Sequence, residues 1–427
     1  MIKSIKQLYK YNFITSILGI INLFILLKYI GISDRTDMFF GAYIIVTSFS
    51  KVLMTGFFNE IIVPIYTKLY STNRKYSFYV ISTFLTTFIS FTTFLIVLLY
   101  LLSDGVLNLI YGTMSIENLK ELKFIFILLL PQMVFLVFNE MISSILNAIE
   151  VYGKQEKAKI YSSLMYMLIL LSLYPSFDIY ALVIATWSSF IIQFIFLYKA
   201  LKQTDIKIFF LFRKKIIGKF NIYSKINISF FYVIVTQIFT LYMRSYLVMF
   251  GEGFLTVVHY IGNIIIKLRT LIMKPILTIL LTEFSKQEKT KQYKDDMGKI
   301  VKYIILFIGF LLIASLLIKN YGIYLFVYII KFTEYKQILD FSNLIWFYVA
   351  MFSLDIVYGL IRKKIVAHNH FNIFYKGMIA SQFFNIALVY IGVSNNIVDI
   401  KYLFLIVFLD VFIKLLYSLY LYRRKLV

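Results

Sequence analysis

The chain has 427 residues, of which 61% are hydrophobic and 15% charged, with a mean hydropathy of +0.83. Soluble domains contain roughly 45–50% apolar residues, so this composition excludes a soluble globular protein. The chain carries 44 Lys and Arg against 21 Asp and Glu, with three His and no Cys. The lack of Cys excludes disulfides, thiolate metal sites and a cysteine nucleophile, and three His are too few for a histidine-rich metal site.

Apolar runs of about 18 residues or more recur along the chain, and each can cross a hydrocarbon core of roughly 30 Å as a helix. We therefore predict an all-α integral membrane protein of about twelve transmembrane helices. The first run has no signal-peptide cleavage site and is expected to remain as an anchor. The predicted spans are 11–30, 38–69, 77–102, 123–148, 157–175, 179–198, 226–249, 253–284, 303–318, 341–361, 377–392 and 402–421.

The basic residues are concentrated in alternate connections between these spans. With a cytoplasmic N-terminus, about 30 Lys and Arg lie on the cytoplasmic side and about 7 on the other side, as the positive-inside rule requires. We therefore predict a multi-pass protein of the cell inner (plasma) membrane with cytoplasmic N- and C-termini. Because loops facing anionic lipid account for the basic charge, nucleic acid is not an expected partner.

The longest polar connection is strongly basic and lies near the midpoint of the chain. It predicts two six-helix lobes, residues 1–201 and 226–427, joined by a basic cytoplasmic linker at 202–225. Weak internal similarity agrees, since Tyr43 and Tyr260 each precede a long span after a short Gly-bearing turn. Repeats of this kind suit a transporter whose substrate site lies between two lobes and opens alternately to each side.

Spans 38–69 and 253–284 each run to about 32 residues, or roughly 48 Å as a helix, which exceeds the hydrocarbon core. They must tilt, bend or project. Gly56, Pro64 and Pro275 are candidate bending points, because proline removes a backbone donor and clashes with the preceding turn. The alternative is that these prolines only relieve helix packing.

Eleven charged residues fall within predicted spans, and each costs at least roughly 2.5–3.5 kcal/mol at the bilayer centre unless it is paired or faces water. Seven are cations, so a cavity between the lobes would favour a polyanionic headgroup such as a pyrophosphate. The candidate substrate-binding cations are Lys28, Lys51, Arg244, Lys267, Arg269 and Lys274. For Lys28 the alternative is that it only reaches the membrane surface. Asp410 and Lys414 are four residues apart and are expected to form a structural ion pair.

Two predicted spans gather polar residues on one helical face. In span 253–284 this face is expected to point into the cavity and carries Tyr260, Asn263, Lys267 and Lys274. In span 123–148 the alternative is hydrogen bonding between helices, and the residues are Gln132, Asn139, Glu140, Ser143 and Asn147.

Carboxylates within the spans are the candidates for coupling or gating. Glu140 is the first, followed by Asp355 and Glu60, and Asp355 with Arg362 could close a cytoplasmic gate. The alternatives are that Glu140 neutralises a nearby cation and that Asp355 and Arg362 form a structural pair. No metal and no cofactor are expected beyond a coupling ion (H+, Na+ or Cl−) or the membrane potential. The sequence has no P-loop, GxSxG or HExxH pattern, so the protein is predicted to be a transporter and not an enzyme.

The stretch 31–68, GISDRTDMFFGAYIIVTSFSKVLMTGFFNEIIVPIYTK, resembles the pattern G-x(5)-D-x-F-F-x-A-[FY] followed by G-x(7)-P of MurJ/MviN-type lipid flippases. The matching positions include Asp37, Gly56 and Pro64. Two further segments are similar to this family, one with Pro131 and Asn147, the other with Tyr260. The resemblance implies the fold of the multidrug/oligosaccharidyl-lipid/polysaccharide (MOP) exporter superfamily, two six-helix lobes in a V around a cationic cavity.

Departures from this pattern bear on the substrate. The peptidoglycan-precursor branch carries arginines in its first and eighth spans, where this chain has Ser16, Asn22, Lys28 and Asn263, and that branch usually has fourteen spans. The chain thus looks more like an O-antigen or capsule-repeat flippase of the Wzx type. The predicted function is movement of an undecaprenyl-pyrophosphate-linked oligosaccharide to the periplasmic leaflet by alternating access, with polysaccharide polymerase or assembly proteins as further partners.

Three alternatives stand beside this prediction. The nearest is a lipid II (peptidoglycan precursor) flippase of the MurJ type. A drug or cation antiporter of the same superfamily would need an acidic cavity, which the excess of cations within the spans opposes. A membrane-embedded glycan polymerase or ligase usually has a large outer loop, whereas the longest outer loops predicted here are 103–122 and 319–340.

Overall fold

The computed structural model describes residues 2–53, 66, 69–70, 72–149, 151, 153–212, 228–267, 309, 313, 335–367 and 371–426. In these ranges the regular structure is entirely helical, as predicted. The helices are α1 (Ile2–Tyr29), α2 (Asp34–Leu53), α3 (Arg74–Leu101), α4 (Ser103–Tyr111), α5 (Ile116–Leu129), α6 (Gln132–Ala148), α7 (Lys154–Phe177), α8 (Tyr180–Lys202), α9 (Ile228–Val248), α10 (Phe254–Lys267), α11 (Tyr335–Ala367), α12 (Phe371–Ser394) and α13 (Ile400–Leu426).

Seven of the described helices are long and apolar enough to cross a membrane, namely α1, α3, α7, α8, α9, α12 and α13. The number becomes eight if α5 and α6, which are bent by 44° at their junction, form one span. Pro131 lies in this break, where its missing N–H removes a backbone donor that a continuous helix would use. Most of span 303–318 and the later parts of spans 38–69 and 253–284 lie outside the described residues, so the total of twelve stays a prediction.

The predicted outer connection at 103–122 is not irregular chain, because it contains α4 and the start of α5. Ser115 caps α5, since its side chain accepts a hydrogen bond from the backbone N–H of Asn118. Loop length alone did not reveal α4, which spans only nine residues.

The chain divides into two compact units, residues 1–25 with 30–256 and residues 26–29 with 257–427. In the first unit α7 packs along α8, and α2 packs against α5 and α9. Its core holds apolar side chains from α3, α6 and α8, including Phe84, Met141, Ile145 and Leu197. The predicted lobes and their boundary at 202–225 stay a prediction, because residues 213–227 lie outside the described part of the chain.

Ion pairs in the first unit show which connections share an end of the helices. At one end Arg35 pairs with Glu121 and with Asp178, and at the other end Arg74 pairs with Asp205 at 2.7 Å. The connections before α2 and α8 therefore lie together, opposite the connection after α8. This alternation is the one that the predicted spans require.

In the second unit α12 and α13 approach closely at Gly377, where a Cβ atom would lie 2.2 Å from the ring of Tyr417. The Tyr417 hydroxyl donates a hydrogen bond to the carbonyl of Ile373 at 2.8 Å. Small residues at such contacts let two membrane helices approach until their backbones nearly touch.

The predicted ion pair between Asp410 and Lys414 is confirmed, with the Lys414 Nζ atom 2.8 Å from Oδ2 of Asp410. The other carboxylate oxygen accepts hydrogen bonds from the side-chain amides of Gln382 and Asn385, each at 2.7 Å. These amides come from α12, so the carboxylate of α13 joins the two helices. A half-buried carboxylate with one cation and two amide donors is a well-satisfied structural group.

Candidate substrate-binding site

Two of the predicted cavity cations come together in the first unit. Lys51 lies near the end of the described part of α2 and is solvent-accessible, whereas Arg244 lies on α9 and is half-buried. These helices pack against each other, and the guanidinium of Arg244 is within electrostatic reach of the Lys51 ammonium. Two like charges at a helix contact repel each other, and an anion bound between them would remove this repulsion.

Lys51 lies on the same stripe of α2 as three buried residues, Asp37, Gly41 and Ser48. The spacings of three, four and seven residues place these side chains one above another on a helix. Asp37 and Lys51 are thus roughly 21 Å apart along α2, at opposite ends of the stripe. One helix face therefore connects the cationic site with a buried carboxylate.

The carboxylate of Asp37 caps the start of α10. Its side chain is 3% exposed, and its oxygens accept hydrogen bonds from the backbone N–H groups of Gly253 at 2.8 Å and Thr256 at 2.7 Å. The hydroxyl of Thr256 also donates to Asp37. Because the first N–H groups of a helix have no partner within it, a carboxylate at this position satisfies them and interacts favourably with the helix dipole.

The turn before α10 needs its two glycines. Gly251 has φ +101 and Gly253 has φ +76, in the region that L side chains rarely adopt. A Cβ atom at Gly253 would also lie 2.2 Å from Cγ2 of Ile32. The turn therefore brings the α10 N-terminus close enough for Asp37 to reach it.

Tyr111 of α4 lies beside these residues of α2, although the sequence did not predict it as a site residue. Its ring is fully buried, and its hydroxyl donates to the carbonyl of Gly41 at 3.3 Å. Both Arg244 and Asp37 are within electrostatic reach of this hydroxyl. A lone tyrosine in a predicted loop gives no sequence signal for such a role, because only the packing of α4 on α2 creates it.

The polar face predicted for span 123–148 serves helix packing in part. Gln132, Asn139 and Ser143 are buried, and the amide of Asn139 donates to the carbonyl of Phe190 on α8 at 3.0 Å. Asn139 thus makes the interhelical bond that was the alternative interpretation. Glu140 is half-buried on α6, and its coupling role stays a prediction.

The predicted cytoplasmic gate involves α11. Asp355 and Arg362 are both half-buried, and Nη2 of Arg362 donates to the hydroxyl of Tyr375 at 3.2 Å. The Arg362 guanidinium also lies 5.8 Å from the centroid of the Tyr375 ring, a cation–π distance. The gate pair itself stays a prediction.

Of the other predicted cations, Lys28 and Lys267 lie in the described part of the chain. Lys28 is exposed at the end of α1, with Nζ 5.7 Å from the centroid of the Tyr29 ring. Lys267 ends α10 and is half-buried, and Tyr260 on the same helix is buried. The following predicted residues lie outside the described residues: Gly56, Glu60, Pro64, Arg269, Lys274 and Pro275, together with the side chain of Asn147.

One of the residues at the missing arginine positions of α1, Asn22, contacts α7. The side-chain amide of Asn22 donates to Oγ of Ser163 at 2.8 Å, and Ser16 is buried. Asn22 thus joins two helices and does not take the place of a cation.

A family model described as the lipid II flippase MurJ matches residues 26–410. Among solved structures, a lipid II flippase MurJ in an inward closed conformation has a TM-score of 0.76 at 18% identity, covering 98% of this chain and 87% of the other. The Vibrio cholerae MATE transporter VcmN in the bent form has a TM-score of 0.62 at 12% identity, with coverages of 99% and 97%. A MOP superfamily transporter from Pyrococcus furiosus has a TM-score of 0.62 at 14% identity, with coverages of 99% and 95%.

At these identities the solved structures establish the fold alone, and they confirm the predicted MOP-type membrane fold. The comparison with curated proteins gives no match.

Proposed function

Because the chain belongs to the lipid II flippase MurJ family, we propose that it moves lipid II, a lipid-linked peptidoglycan precursor, across the membrane. The chain is a multi-pass membrane transporter and not an enzyme. The single observation that carries the proposal is the family match over residues 26–410. It favours lipid II over the O-antigen or capsule repeat unit that the departures in α1 suggested.

The cations of the first unit supply a binding mode for such a substrate. A phosphate-linked headgroup carries negative charges close together, and Lys51 and Arg244 offer an ammonium and a guanidinium from two packed helices. The guanidinium can hold two phosphate oxygens at once, and the ammonium acts as a point charge.

Transport also requires a site that opens to one side at a time. We propose that the cap of Asp37 on α10 holds one end of the first unit closed, since it fixes the start of α10 against α2. Breaking this cap would expose a carboxylate and the N–H groups of the helix end together. Both would then need water, so opening and hydration of this end are coupled.

Complementation in bacterial cells depleted of their own lipid II flippase tests the proposal. The wild-type chain and Lys120→Ala, a control at an exposed lysine of α5, are expected to restore growth, whereas Lys51→Ala and Arg244→Ala are expected to fail with normal membrane levels. The same four chains should be placed in cells lacking a repeat-unit flippase. Restored surface polysaccharide there, with no growth in the depleted cells, would return the assignment to the O-antigen or capsule class.

A further inference from the structure

The segment 206–212, IKIFFLF, follows α8 in an extended conformation and lies alongside α3. We call it the apolar strip. The backbone N–H of Phe209 donates to Oγ of Ser82 at 3.0 Å, and that of Leu211 donates to Oγ1 of Thr86 at 3.0 Å. The rings of Phe209 and Tyr79 stack with their centroids 6.4 Å apart. Side chains of α3 thus hold an extended backbone that belongs to neither a helix nor a sheet.

The apolar strip runs from the end of α3 towards its middle. It begins beside Asp205, whose carboxylate pairs with Arg74 in the first turn of α3. Thr86 lies about 18 Å further along the helix, at a rise of about 1.5 Å per residue. The extended chain from Asp205 to Leu211 covers roughly 20 Å, which matches this distance. The helix α3 is long and apolar enough to span the membrane. A strip that follows it from its first turn towards its middle therefore reaches into the membrane.

The exposed side chains of the strip are aromatic from Phe209 onwards, and Lys207, two residues after Asp205, is exposed near its start. Phe210 is 81% exposed and Phe212 is 64% exposed, whereas Ile206 is 7% exposed and belongs to the core of the first unit. Burying a phenylalanine side chain away from water is worth about 1.5–3 kcal/mol, so this face is unfavourable in water and favourable in hydrocarbon.

The hydrogen bonds of the strip fit the same environment. Lipid cannot satisfy backbone N–H groups, so non-helical chain at membrane depth must receive acceptors from the protein. The hydroxyls of Ser82 and Thr86 are such acceptors, placed four residues apart on one face of α3.

We propose that residues 206–212 insert into the bilayer beside α3, with Phe210 and Phe212 against the acyl chains of lipid. The start of the predicted cytoplasmic linker is then anchored in the membrane. This inference stands independently of which substrate the protein carries.

The chain has no Cys, so a single cysteine reports on one site without background substitutions. A nitroxide at Phe210→Cys, in full-length protein in phosphatidylcholine and phosphatidylglycerol vesicles, is expected to be accessible to oxygen and protected from a water-soluble nickel chelate. Phe94→Cys, on the exposed face of α3, is the lipid control, and Gln203→Cys, in the turn after α8, is the aqueous control. A label at position 210 that matches Gln203→Cys, or is protected from both reagents by a protein contact, overturns the proposal.

A second comparison tests the hydroxyl acceptors. Ser82→Ala with Thr86→Val should release the strip, so that the label at position 210 becomes accessible to the nickel chelate. Thr83→Val with Thr87→Val is the matched control, because those hydroxyls donate to carbonyls of α3 itself. Unchanged accessibility in the first pair, with protein that remains monodisperse, contradicts the proposed role of the acceptors.

Discussion

The carboxylate of Asp37 accepts a hydrogen bond from the backbone N–H of Thr256 at 2.7 Å, across 219 positions of the chain. The same side chain also receives the N–H of Gly253, so one buried residue of α2 fixes where α10 begins. Backbone donors cannot be removed by substitution of their own side chains. Position 37 is therefore the point at which this connection can be tested.

Asp37→Asn should lower the thermal stability of the purified protein. Asparagine keeps the shape but removes the charge and turns one acceptor into a donor facing N–H groups, and hydrogen bonds to charged groups contribute about 1.5–3 kcal/mol. The measurement is the melting temperature in detergent, followed by the loss of the monodisperse size-exclusion peak. Asp34→Asn is the matched control, because Asp34 is in the same helix turn and accepts a hydrogen bond from the Asn118 side chain. An equal loss in both variants would show that the cap has no special role.

Gly253→Ala should be more destabilising than Gly251→Ala. Both positions have positive φ, but a Cβ atom meets Ile32 only at Gly253 and finds open space at Gly251. The double variant of Gly253→Ala with Ile32→Ala should recover the stability that is lost to the clash. The stability that is lost to backbone strain should not return. The yield of folded protein and its melting temperature provide the readout. A double variant as unstable as Gly253→Ala argues against this clash.

Removing one of the two neighbouring cations should stabilise the protein without substrate while it impairs transport. Lys51→Ala removes the repulsion of the Lys51 ammonium by Arg244, and it also removes a ligand for a phosphate. We expect a higher melting temperature and slower lipid II movement than in the wild type. Lys51→Arg should keep most of the transport, because it retains the charge. A Lys51→Ala protein with a lower melting temperature and normal transport contradicts the account of this site.

The Asp410 cluster should behave as a structural unit. Asp410→Asn leaves Lys414 half-buried without its counter-charge, and breaking a buried pair costs about 3–5 kcal/mol. Lys414→Met in the same chain should restore much of the melting temperature, and transport should follow stability. If the double variant is stable but inactive, Asp410 acts in the transport cycle and not only in the packing of α12 and α13.

The topology can be tested with reporter fusions. Fusions at Lys75 and Lys215 are expected to report a cytoplasmic location, and those at Arg35, Glu117 and Asn395 a periplasmic one, from the charge bias of the connections. A periplasmic signal at Lys215 would reverse the orientation of the whole chain.

The sequence was sufficient to predict the helices and the ion pair between neighbouring residues of one helix. Long apolar runs must form helices in lipid, because no other single segment satisfies its own backbone, and Asp410 with Lys414 follows from a spacing of four residues. The contact between Asp37 and Thr256 could not be predicted, since nothing local connects positions so far apart. The sequence marked Asp37 only as a motif residue, and its partners are the backbone of Gly253 and both the backbone and the hydroxyl of Thr256.

One segment has a local contact that composition did not indicate. The basic residues after position 212 predict a cytoplasmic linker at 202–225, and the apolar strip at 206–212 within it lies along α3. Ser82 and Thr86, the acceptors that hold it there, give no sequence signal, because hydroxyl residues four apart in a membrane helix usually bond their own backbone.

Lipid II movement in proteoliposomes tests the central claim most directly. Purified protein is reconstituted with labelled lipid II, and the fraction that is accessible to an external enzyme or quencher is followed with time. The wild type and Lys120→Ala are expected to move lipid II, whereas with Lys51→Ala and Arg244→Ala the label should become accessible no faster than in protein-free vesicles. Equal rates for all four proteins would contradict the cationic site. The assignment to lipid II would be contradicted if the wild type moved lipid II no faster than protein-free vesicles but transported a different lipid-linked glycan.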